Sequence, residues 1–61
     1  MPWTMNRYPP AMGRLPLDVR RKAIEIANAL LDEGYDEGRA IRIAIAGAKR
    51  WASRSNMYAP G

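Results

Sequence analysis

The run Leu30-Leu31-Asp32-Glu33-Gly34-Tyr35-Asp36-Glu37 decides the fold of this 61-residue chain. Glycine takes the left-handed backbone conformation at little cost, so Gly34 reads as the residue just past a helix end. Tyr35 then reads as the apolar residue that folds back on that end. Asp36 reads as the N-cap of a second helix, with Glu37 in its first turn, where the helix dipole favours an acid. So short a connection forces the two helices into a hairpin, antiparallel or steeply crossed.

Upstream, residues 17–33 read as the first helix. Val19, Ala23, Ile26, Ala27 and Leu30 share a face about 100° wide, which Ile24 and Leu31 broaden on one side. Arg21, Glu25, Asn28 and Asp32 fall opposite, and Arg21 and Glu25 have the spacing of an i,i+4 ion pair. Pro16 marks the helix start, with Asp18 as its expected N-cap. Downstream, residues 37–54 read as the second helix, with Ala40, Ile41, Ala44, Ile45, Ala48, Trp51 and Ala52 on one face. The alanines allow a neighbouring helix to come close. Gly47, at the edge of this face, costs about 1 kcal/mol relative to alanine.

Residues 1–16 read as an extended arm, because prolines at 2, 9, 10 and 16 forbid a long helix. The arm carries Trp3, Met5, Tyr8, Met12 and Leu15, which are costly to leave in water. It is expected to lie across the helices and to add a short turn. Trp3, Tyr8 and Leu15 should then meet Ile26, Leu30, Ala44 and Trp51, with Tyr35 also in the core. Residues 55–61 read as a disordered tail. The expected fold is all-α: one small domain over residues 1–54, a two-helix hairpin clasped by its N-terminal arm.

Composition bounds what such an object does. Burying about 3,600 Å² of apolar surface contributes roughly 90 kcal/mol at ~25 cal/mol per Å². Ordering a chain of this length costs about as much, at ~1.5 kcal/mol per residue. The near cancellation makes a partner chain attractive, and a homodimer forming a four-helix arrangement is one expectation. The chain has no cysteine and no histidine, which removes disulfides, cysteine zinc sites, thiol nucleophiles and imidazole chemistry. Thr4, Ser53 and Ser55 have no base to activate them, and Lys22 and Lys49 follow no phosphate-loop glycine pattern. No enzyme activity, cofactor or metal site is expected. No apolar run is long enough to span a membrane, and Met1-Pro2-Trp3-Thr4 lacks the pattern of a signal peptide, so the expected location is the cytoplasm.

Charge singles out two surfaces. The net charge is +4, and arginine supplies most of the positive side chains. Arg39, Arg42, Lys49, Arg50 and Arg54 fall on the side of the second helix away from its apolar face, with no acid among them. Such a row could track a nucleic-acid backbone without reading sequence, or it could be a solvated face. The turn gathers Asp32, Glu33, Asp36 and Glu37, but its spacing fails the calcium-loop pattern: Gly34 stands at the third position and Ile43 at the twelfth. Capping of the second helix is the simpler reading, with Asp32 and Glu33 free to pair with Arg39 or the arm. An acidic turn and a basic far end also favour head-to-tail or antiparallel self-association.

The arm Tyr8-Pro9-Pro10-Ala11-Met12 and the run RKAIEIANALLDEGYDEGRAIRIAIAGAKRWA (residues 21–52) resemble the N-terminal module of the YdaT-like small bacterial proteins. Leu15-Pro16 and the alanine-rich second helix are more distantly similar to ChaB-type proteins, which are labelled cation-transport regulators. The first resemblance implies a small bacterial protein of uncharacterised role and supplies no catalytic or ligand residues. Three functional expectations stand: a protein-interaction or self-association module, a nucleic-acid binder using the basic face, and a cation-linked regulator by ChaB-type analogy.

Overall fold

The computed structural model describes residues 2–54. Helix α1 spans Leu17–Asp32 and helix α2 spans Glu37–Arg54. The expected all-α hairpin is what the chain forms. Among the described residues there is no strand, only an isolated bridge between Thr4 and Arg7 that closes a tight turn in the arm. A 3₁₀ turn at Pro10–Met12 is the short extra element of the arm. The tail expected at residues 55–61 lies outside the described residues.

The connection forms as its residues require. Gly34 has φ +103°. Its N–H donates to the Leu31 carbonyl at 3.0 Å, and the Tyr35 N–H donates to the Leu30 carbonyl at 3.1 Å. These two bonds satisfy carbonyls that a helix end otherwise leaves open. Asp36 then caps α2: its Oδ2 accepts the Arg39 N–H at 3.2 Å, and its carbonyl accepts the Ala40 N–H at 2.9 Å.

Helix α1 starts at Leu17 as expected, but its cap is a different residue. Pro16, at φ −56° and ψ 157°, holds the N-cap position without a side-chain bond, and Asp18 lies inside the first turn. The proline ring fixes φ for the entering chain. Its carbonyl accepts the Arg20 N–H at 2.8 Å, so the helix begins one residue before Asp18. The far end also stops one residue early, with Glu33 as the C-cap.

Between the helices runs a seam of small side chains. Ala40, Ala44, Ala48 and Ala52 of α2 are buried, as are Val19, Ala23 and Ala27 of α1. Two contacts fix the register. A Cβ built on Gly47 would lie 3.4 Å from Ile26 Cδ1, and Lys22 Nζ stands 5.5 Å from the Trp51 ring centroid. Four residues back along α1 thus match four residues forward along α2, so the pair is antiparallel. The same register sets Leu30 level with Ile43. No helix among the described residues is long and apolar enough to cross a membrane.

Three further expectations are corrected. Asn28 is not on the solvent face but buried, because the arm covers it. Tyr35 is not in the core but 37% exposed, with the Arg39 guanidinium 5.6 Å from its ring centroid. Glu25 pairs not with Arg21 but with Lys22, at 2.8 Å.

Candidate functional site

The arm is held by two polar anchors on α1. Trp3 donates its backbone N–H to Asn28 Oδ1 at 3.2 Å, and Asn28 Nδ2 donates to the Trp3 carbonyl at 3.0 Å. A primary amide has one acceptor and a donor side by side, so it pairs with a backbone unit much as a neighbouring strand would. Eight residues nearer the start of α1, Arg20 takes the other end of the arm. Its Nε donates to the Met12 carbonyl at 3.2 Å. Its Nη2 donates to the Gly13 and Leu15 carbonyls at 3.3 and 3.2 Å. The guanidinium also stands 4.7 Å from the Tyr8 ring centroid. A rigid fork with several N–H donors suits such a cluster of carbonyls, and its flat face suits the ring.

Between these anchors Met12 is fully buried and Leu15 nearly so. Trp3 and Tyr8 are half-buried and pack on the same core, which also includes Ala44. Trp3 and Tyr8 share a groove with Ile41 and Glu37 of α2. Leu15 shares another with Val19 and Ala52. The arm therefore closes one side of the hairpin.

The opposite side has no such cover among the described residues. Ile26 and Trp51 are half-buried against the core, Leu30 is half-buried, and Ile43 is 41% exposed. Helical spacing puts Ile43, Gly47 and Trp51 in one line on α2, and Lys22, Ile26 and Leu30 in one line on α1. The measured register sets the two lines side by side. Together they make an apolar strip with charge at its two ends.

Those ends differ in sign. Asp32, Glu33, Asp36 and Glu37 are exposed around the turn. Arg39, Arg42, Lys49, Arg50 and Arg54 are exposed along α2, and none of the five forms an ion pair among the described residues. Arg39 sits over Tyr35 and not against Asp32 or Glu33. The acids of the turn do not converge: among the described residues no group of three or more acidic side chains is placed to hold a metal ion. Thr4 Oγ1 accepts the Asn6 N–H at 3.2 Å, which makes it part of the arm's turn.

Over 56 residues, 92% of its length, the chain is 55% identical to the uncharacterized protein YdaT of Bacillus subtilis (strain 168). The chain is YdaT-like. It spans 37% of the length of that relative. No family model matches the chain, and no solved structure does.

For this YdaT-like chain the sequence named Trp3, Tyr8, Leu15 and Ala44 among the packing residues, and missed Asn28 and Arg20. A signal for Asn28 was present. Ile24 and Leu31 widen the apolar arc of α1 toward it, so the arc runs into Asn28 instead of stopping short. No comparable signal marked Arg20, because its partners are backbone carbonyls that any sequence supplies.

Proposed function

We propose that this chain is a small, non-catalytic cytoplasmic protein that works as an interaction module, making its contact through the hairpin side opposite the arm. The observation that carries this reading is the apolar strip of Ile26, Leu30, Ile43 and Trp51 on that side, with Ile43 41% exposed. Apolar side chains at the centre and charge at the rim is the usual pattern of a docking surface. The absence of histidine and cysteine from the sequence supports the non-catalytic part. The test is a pull-down from native cell lysate, with and without nuclease, comparing wild type with Ile43→Glu. A protein held by wild type in both conditions and lost from the variant supports the reading. Capture profiles that the variant leaves unchanged contradict it.

The row Arg39, Arg42, Lys49, Arg50 and Arg54, exposed and without acid partners among the described residues, favours a second reading: sequence-independent binding to a nucleic-acid backbone. Duplex binding at about 50 mM salt that disappears by about 200 mM, and in Arg42→Glu/Arg50→Glu, is the expected result of that reading. No binding at the lower salt ends it.

A further inference from the structure

We infer that the partner covering the open side is a second copy of this chain, turned antiparallel, so that the acidic turn of one copy lies beside the basic end of the other. The inference rests on the interaction-module reading and names its partner.

The strip is symmetric in the way a two-fold contact needs. Ile43 and Trp51 stand four residues on either side of Gly47, where an added Cβ would lie 3.4 Å from Ile26 Cδ1. A two-fold axis crossing the strip at that level sets each Ile43 level with the Trp51 of the other copy. Gly47, with no side chain, leaves room at the centre. A self-complementary patch is what a closed dimer requires. From Ile43 to Trp51 the apolar strip runs about 12 Å, at the centre of a helix whose 18 residues span about 27 Å.

Charge chooses the orientation. A two-fold axis along the helices would bring Asp32, Glu33, Asp36 and Glu37 of both copies to one end. The axis across the helices separates them and sets each turn end, where the four acids outnumber Arg39 and Arg42, level with the end of the other copy that carries Lys49, Arg50 and Arg54. One pair is specified by the register. Glu33 lies seven residues past Ile26, and Arg54 lies seven past Gly47. The same axis therefore makes Glu33 of each copy level with Arg54 of the other, diagonally across from the α1 side to the α2 side. Both are exposed, and neither forms an ion pair within its own chain among the described residues.

The test is the mass of the full chain by sedimentation equilibrium, from about 1 μM to about 1 mM. The expected result is a rise from the monomer mass to twice that mass. Ile43→Glu, checked for an unchanged helical circular-dichroism spectrum, should raise the dimer Kd about tenfold or more. Glu33→Lys and Arg54→Glu should each weaken the dimer alone. Mixed one to one they should recover it, because the mixed pair restores both opposite-charge contacts. A monomer mass at every concentration overturns the inference, as does a dimer that Ile43→Glu leaves intact. A mixture no tighter than either single variant overturns the antiparallel arrangement. A monomeric chain that still loses a captured protein in Ile43→Glu would sink the second copy and leave the interaction reading standing. A monomer with unchanged capture sinks both.

Discussion

On one side of the hairpin, Trp3, Tyr8 and Leu15 lie over the seam between the helices, while on the other Ile26, Leu30 and Trp51 are half-buried with no arm residue over them and Ile43 is exposed. The same two helices thus present apolar arcs in two directions, and among the described residues the arm covers only one of them. The covered side is held by directional polar bonds, from Asn28 to Trp3 and from Arg20 to three carbonyls. The uncovered side has a cation over a ring, Lys22 on Trp51, and one exposed ion pair, Lys22 with Glu25. A two-helix hairpin cannot enclose a core, and the arm is the third layer that lets this one approach closure.

Substitutions on the two sides should therefore behave differently. The largest effect is expected from deleting residues 2–16, which removes Met12 and Leu15 from the core. The truncated chain should lose its cooperative thermal transition by circular dichroism; a transition that survives would mean the helices close without the arm. Asn28→Ala should come next. It leaves the Trp3 N–H and carbonyl without their partner and should cost about 2 kcal/mol in urea unfolding. Arg20→Lys keeps the charge but loses the fork. It should cost about 1 to 1.5 kcal/mol by the same measurement, with near-wild-type stability marking the carbonyl cluster as unimportant. The smallest effect has the opposite sign. Gly47→Ala gains about 0.5 to 1 kcal/mol of helix propensity, and its Cβ meets only the far end of Ile26, at 3.4 Å. A raised melting temperature is expected in dilute solution, below the range where copies associate; a lowered one there would mean that Ile26 has no room to yield.

Much of the helical part was legible because its signals are local. Gly34 must adopt a conformation other residues resist, and Asp36 needs only the N–H three residues on, so neither depends on what packs elsewhere. The alanine seam was legible from its helical period. What was not legible depended on the arm. Asn28 reads as a solvent residue until a backbone unit is laid beside it, and nothing in residues 1–16 says where that unit lands. Tyr35 read as core because large aromatics usually are, yet the turn leaves it at the rim with Arg39. Asp18 is a better cap than proline by type, but the geometry of Pro16 starts the helix before Asp18 can serve. The basic row was legible as a row, and the structure adds that its members stand exposed. The uncovered strip emerged only once the arm's side was known, since the sequence assigned Ile26, Leu30 and Trp51 to the arm.

The most direct measurement is the melting temperature of wild type, Asn28→Ala and Ile43→Glu across a thousandfold range of chain concentration. Association stabilises a folded chain more as concentration rises. The wild-type transition should therefore climb with concentration. Asn28→Ala should lie below it by a similar amount throughout, because its loss is internal to one chain. Ile43→Glu should match wild type at the dilute end and stay flat. A wild-type transition that does not move with concentration, or an Ile43→Glu chain as destabilised at the dilute end as at the concentrated end, would contradict the division between a side closed by the arm and a side closed by a second copy.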